Sequence, residues 1–161
     1  MYHSTLVFLS DGRILVAASN PNYNYNYTTT SFLTEIRIEA FSPEYLGPNR
    51  ANLRPRITTA LDVISYGSSF TVKVSVELPI VGIIEVNIAS APFSTHSFSQ
   101  GQRLIKLKVS FSIHDGLSAS AYTIIAVALP SAIVAPPSYY MVFTMNQGLP
   151  SIAAWIQLVN K

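Results

Sequence analysis

Phe70-Thr71-Val72-Lys73-Val74-Ser75-Val76-Glu77-Leu78 alternates apolar and polar residues without a break. Successive strand side chains point to opposite faces, so this stretch predicts a strand with one face buried and one in water. A second stretch repeats the pattern: Ile105, Leu107, Val109, Phe111 and Ile113 interleave with Lys106, Lys108, Ser110 and Ser112, and predict one further strand. Shorter versions run through Ile36, Ile38 and Ala40 and through Ile84, Val86 and Ile88. No segment carries a 3.6-residue period, so the chain reads as all-β.

From Arg56 onward, about seven strand candidates are separated by turn signals, a density that fits a two-sheet sandwich of immunoglobulin type. The signals are Tyr66-Gly67-Ser68, Asp115-Gly116 and Gln147-Gly148. Tyr139 and Tyr140 follow Pro136-Pro137, where a tyrosine-corner residue of such a sandwich would sit. Trp155, in the last strand, is expected in the core.

Upstream, Thr5 to Ser10 and Arg13 to Ala18 flank Asp11-Gly12, a dipeptide suited to the positive φ angles of a two-residue hairpin turn. The Asn- and Tyr-rich segment 20–27 reads as a loop. The Glu35 to Phe41 strand follows. Residues 42–55, with three prolines, Gly47, Arg50 and Arg54, read as a linker. The predicted organisation is therefore strands within 1–41, a linker at 42–55 and a sandwich over 56–161. Two or three strands are marginal alone, so the first forty residues must either pack on the sandwich or form the edge of a larger β-domain.

Composition bounds the function. At 161 residues, 49% hydrophobic and 11% charged, with a mean hydropathy of +0.34, the chain has too much apolar surface to stay disordered. A net charge of +2 is too small for the phosphate-neutralising footprint of a nucleic-acid binder. With no cysteine, disulfides, thiolate metal sites and cysteine nucleophiles are excluded from this chain. The stretch 116–160 carries no Asp, Glu, Lys or Arg, yet Pro130, Pro136, Pro137 and Pro150 interrupt it, and no membrane-spanning helix is expected. The opening Met-Tyr-His-Ser-Thr lacks the basic and apolar regions of a secretory signal.

Phosphate loops, nucleophile elbows and His-Glu-x-x-His are missing. Of the three histidines, His3 and His96 stand 93 positions apart, which is no local metal signature. His114, beside Asp115-Gly116, reads as a surface turn residue. Asn26-Tyr27-Thr28 is an acceptor sequon for N-glycosylation, meaningful in a secreted chain. Tyr23, Tyr25 and Tyr27 could offer aromatic faces to a sugar, but are expected to pack on the sandwich. Arg50, Arg54 and Arg56 are expected to make interdomain hydrogen bonds.

Ordered blocks along the whole chain add a further reading. Tyr2-His3-Ser4-Thr5, then Asp11-Gly12-Arg13-Ile14-Leu15-Val16 and Ser19-Asn20-Pro21-Asn22 come first. Glu39-Ala40-Phe41-Ser42-Pro43, Leu53-Arg54-Pro55, Thr95-His96-Ser97-Phe98-Ser99 and Ala135-Pro136-Pro137 follow. Together they resemble the galactose oxidase-like copper radical oxidases, especially the glyoxal oxidase branch. The resemblance implies an immunoglobulin-like early set β-sandwich preceded by strands of an incomplete last β-propeller blade. It implies copper as cofactor, with Tyr2, His3 and His96 as metal ligands and Tyr2 as the catalytic base. It also implies an extracellular protein acting on a small aldehyde or alcohol, with a carbohydrate or cell-wall contact as a further partner. Adjacent strand residues face opposite ways, so Tyr2 and His3 can share an ion only where the backbone is irregular. Ala17-Ala18 departs from the glycines usual in the family, and alanine restricts φ. The family's radical tyrosine is crosslinked to a cysteine, which this chain lacks, so the chain alone is expected to be inactive. The alternative is a non-catalytic β-sandwich that binds a carbohydrate or protein partner.

Overall fold

The computed structural model describes residues 3–96, 98–116 and 118–160. Among them the only helices are single 3-10 turns at Glu44–Leu46 and Ala51–Leu53, and the rest of the regular structure is β. One sheet orders β11 (Lys108–His114), β12 (Ala121–Val127), β6 (Ser69–Ser75) and β4 (Arg56–Thr59). A second orders β10 (Leu104–Lys106), β7 (Glu85–Ser90), β13 (Ser138–Asn146), β15 (Ala154–Val159) and β5 (Val63–Ser65), with β14 (Leu149–Pro150) beside β13. The β5–β15 pair is parallel.

The alternating residues decide which faces meet. Phe70, Val72 and Val74 of one sheet and Val86, Ile88, Val142, Ile156 and Leu158 of the other are buried in a single apolar cluster. Burial of each such side chain stabilises the fold by roughly 1.5–3 kcal/mol before entropy is counted. Tyr140 is buried and its hydroxyl donates to the Pro136 carbonyl at 2.7 Å, which is the tyrosine-corner arrangement. Tyr66 does the same to Ala135 at 2.6 Å. Burial pushes both phenols up from their ordinary pKa.

The stretch expected as one strand over 105–113 is two. It pairs with β7 up to Lys106, pivots at buried Leu107, and continues as β11 against β12 in the other sheet. A bulge between Val109 and Phe111 shifts the side-chain parity by one residue, leaving Phe111 and Ile113 exposed. Trp155 is likewise not core. It is 46% exposed, because Ile156 and Leu158 take the inward positions of β15.

Upstream, β1 (Thr5–Phe8), β2 (Ile14–Ser19) and β3 (Glu35–Phe41) form a three-stranded antiparallel sheet. Its first hairpin is wider than the expected two-residue turn. Gly12 N–H donates to Leu9 O at 3.0 Å and Leu9 N–H to Arg13 O at 2.9 Å, with Gly12 at φ 95°. This is a three-residue loop closed by a left-handed glycine. The sheet packs on the sandwich through the outer face of β7 and β13: Phe8 joins Ala89, Met141 and Phe143 in a second apolar cluster, its ring 5.4 Å from that of Phe143. The tyrosine loop does not pack there. Tyr23 is fully exposed, and Tyr25 and Tyr27 are 74% and 51% exposed.

Candidate functional site

The remaining strands, β8 (Phe93–Thr95) and β9 (Phe98–Gln100), make a short hairpin outside both sandwich sheets. Three of its six strand residues are Ser or Thr, and two of them, Ser94 and Ser99, bond to β1. Thr5 Oγ1 and Ser94 Oγ lie 2.5 Å apart, and the Ser99 hydroxyl donates to Leu6 O at 2.8 Å. Residues distant by about ninety positions are thereby joined.

His3 lies two residues before Thr5, and His96 two residues after Ser94. The folding therefore brings β1 beside the hairpin that carries His96. Both histidines have left-handed backbone, φ 55° at His3 and 52° at His96. Among the described residues only Ala18 and Gln147 are the other non-glycines with positive φ. Such geometry costs a non-glycine residue on the order of 1 kcal/mol and concentrates at functional sites. At His96 the cause is local, since a two-residue connection from Thr95 to Phe98 favours positive φ. At His3 the chain has not yet entered β1.

The exposed His96 ring is oriented by its neighbour: Nδ1 lies 2.9 Å from Thr95 Oγ1. Tyr2 lies outside the described residues. Among the described residues, no three His, Cys, Asp or Glu side chains gather closely enough to hold a metal ion. His114 is a surface residue as expected, but it ends strand β11 rather than sitting in a turn. Its ring meets Tyr122 edge-on at 5.1 Å, and Nδ1 accepts the Gly116 N–H at 3.2 Å.

Arg54 secures the hairpin that carries β1. Its Nε donates to Pro150 O at 2.6 Å, and its Nη2 donates to Ser151 O at 2.9 Å and to Asp11 O at 2.8 Å. The Tyr45 hydroxyl donates to Gly12 O at 2.6 Å beside it. Burial lowers the Arg54 pKa and raises that of Tyr45. Burial also works to raise the Asp11 carboxyl, but the Arg13 backbone N–H and guanidinium, with Arg54 nearby, outweigh it and hold it below its ordinary value. Of the three arginines expected to bond across the linker, Arg54 does so; Arg50 and Arg56 instead face Glu44 and Glu77 in exposed pairs. The anchoring residues Thr5, Ser94 and Ser99 were not visible as such in the sequence. Their one signal is the set of hydroxyl side chains around His96, Ser94, Thr95 and Ser99 among them.

Residues 54–158 match the family described as galactose oxidase-like, early set domain, and residues 1–45 match the glyoxal oxidase N-terminus. Aldehyde oxidase GLOX of Vitis pseudoreticulata is 55% identical over 159 residues, covering 99% of this chain and 30% of that protein. Aldehyde oxidase GLOX1 of Arabidopsis thaliana is 40% identical over 163 residues, covering 99% of this chain and 26% of that protein. The chain thus spans less than a third of the length of either relative.

Proposed function

Since this chain belongs to the galactose oxidase-like early set family, we propose that, as part of a longer protein, it contributes His3, His96 and Tyr2 to a copper centre. That centre would oxidise a small aldehyde or alcohol with dioxygen and release hydrogen peroxide. The observation that carries this reading is the anchoring of β1 to the β8–β9 hairpin at Thr5 and Ser94, each histidine lying two residues beyond on a left-handed backbone. The donor set fits the metal: neutral imidazoles and a phenolate oxygen suit Cu(II).

Copper, when bound, supplies the one-electron exchange with dioxygen. The chain's own residues hold and move protons. The Thr95 hydroxyl, 2.9 Å from His96 Nδ1, would hold the ring and leave Nε2 for the metal. Tyr2, next to His3 in sequence, is proposed to accept the substrate proton, since a phenol beside a cation loses its own proton more readily. The three strands of residues 1–41 would be part of a last propeller blade, with the rest of the protein supplying the other walls of the pocket and a radical-bearing tyrosine. A cysteine-crosslinked tyrosine cannot be built from this cysteine-free sequence. The whole protein would act outside the cell. Among the described residues, no helix is long and apolar enough to cross a membrane.

Two measurements test this. Purified chain given copper and methylglyoxal should make no peroxide above the copper-only background; sustained turnover would overturn the claim that the chain alone is inactive. A Cu(II) titration followed by electron paramagnetic resonance should show nitrogen couplings that weaken in His96→Ala and in His3→Ala. A spectrum identical in both variants would remove these residues as ligands.

A further inference from the structure

Asn26-Tyr27-Thr28 is the one Asn-x-Ser/Thr triplet in the sequence, and nothing in the copper-site reading uses it. It lies on a loop whose outward side chains meet solvent: Tyr23, Tyr25, Tyr27 and Phe32 are all exposed. The loop is nevertheless fixed at its base. Asn26 N–H donates to Thr34 Oγ1 at 2.8 Å, and Thr34 N–H donates to Asn26 O at 2.6 Å. The Asn26 side chain is held as well, its Oδ1 accepting the backbone N–H of Thr28 at 3.1 Å and of Thr29 at 3.0 Å. Its Nδ2 donates to Thr29 Oγ1 at 2.7 Å, which uses only one of the two hydrogens a primary amide carries.

We propose that Asn26 is an N-glycosylation site and that the glycan stands over the exposed tyrosine loop. The co-reactant is a lipid-diphosphate-linked oligosaccharide. The Asn26 Nδ2 forms a bond to C1 of the first sugar as the C1–O bond to the diphosphate breaks. The lipid diphosphate leaves with the electron pair, the amide loses one proton to the transferase's base, and nothing is oxidised or reduced. The product keeps one Nδ2 hydrogen, and both backbone bonds to Oδ1 survive. The turn that shapes the loop therefore does not depend on the hydrogen that is lost. An attached glycan would also cover aromatic surface that no described residue covers, offsetting the cost of leaving three tyrosine rings in water.

The proposal rests on the extracellular part of the reading above, and the experiment separates the two. Residues 14–37 form one tryptic peptide, since no Lys or Arg lies between Arg13 and Arg37. The complete gene product is expressed in plant cells twice, with its own leader and with a strong heterologous secretory leader, and that peptide is mapped before and after peptide-N-glycosidase in heavy-oxygen water. The expected result is a glycan-bearing peptide in both, in which the glycosidase turns Asn26 into an aspartate carrying heavy oxygen. Asn26→Gln and Thr28→Ala should yield only bare peptide, and Thr28→Ser should keep the glycan. Glycan with the heterologous leader alone would sustain the site and overturn the extracellular reading. Bare peptide with both leaders would overturn the site itself.

Discussion

Ala18 holds φ at 54°, a backbone in which the methyl group of an L-residue crowds the next carbonyl. It sits at the irregularity between Ala17 and Ser19 where β2 slips against β3. Ala18→Gly is expected to raise the unfolding free energy by about 1 kcal/mol, measured by urea denaturation; an unchanged or lowered midpoint would deny the strain. The restriction on alanine was readable from the sequence, but the sign of φ was not, since it is set by the bulge that the partner strand imposes. Glu35 allows a second test. Its carboxylate accepts from the Arg37 guanidinium at 2.5 and 2.8 Å and from the Arg37 backbone N–H at 2.8 Å, and these bonds lower its pKa from 4.5 to about 2. A depressed carboxylate stabilises the fold above its unfolded pKa. That contribution is lost as pH falls from about 4.5 towards 2. The pair is exposed, so salt should weaken the effect. An NMR titration should find Glu35 protonating near the lower value, and Arg37→Gln should return the midpoint towards 4.5.

At the scale of elements, one guanidinium ties the first hairpin to the sandwich. Arg54 satisfies three carbonyls from two separate parts of the chain, and a Cβ on Gly12 would lie 3.1 Å from the Tyr45 ring and 3.3 Å from Arg54 Nη2. Arg54→Ala leaves those carbonyls without donors and is expected to cost about 3 kcal/mol. Arg54→Lys, with a point charge in place of a fork, should recover only part of it. Gly12→Ala should destabilise by about 1–2 kcal/mol through its positive φ and the crowded ring. Equal melting temperatures for wild type and Arg54→Ala would show that the hairpin is seated by its other contacts, the Tyr45 hydroxyl and the Phe8 packing among them. The hairpin was legible in Asp11-Gly12, and the interdomain role of an arginine in Arg50, Arg54 and Arg56. Which arginine acts could not be read, because all three look alike in sequence and only position 54 falls beneath the β14–β15 connection. Similarly, alternation over 105–113 announces a strand but not a change of sheet: Leu107 continues the apolar pattern while the backbone turns away to a new partner.

For the whole molecule, the sandwich closes its own core while the three-stranded sheet does not. Ile36 and Ile38 are 66% and 68% exposed on β3, with Phe41 exposed at its end. In the chain by itself, Ile36→Lys with Ile38→Lys should change stability by less than about 0.5 kcal/mol. In the complete protein the same pair should destabilise, if further blades cover that face as proposed; comparing the two melting temperatures decides it. The sandwich was legible from periodicity because a half-buried strand writes its burial into every second residue. The tie between β1 and the hairpin that carries His96 was not, since His3 and His96 stand 93 positions apart with no spacing rule, and only the resemblance named them. The parallel pairing of β15 with β5 has a consequence during synthesis. Val63 waits on the ribosome for Gln157, nearly a hundred codons downstream, so the larger sheet cannot finish until the last strand has cleared the exit tunnel. Until then the nascent chain holds its longest uncharged segment open, and chaperone occupancy should fall only once that strand emerges.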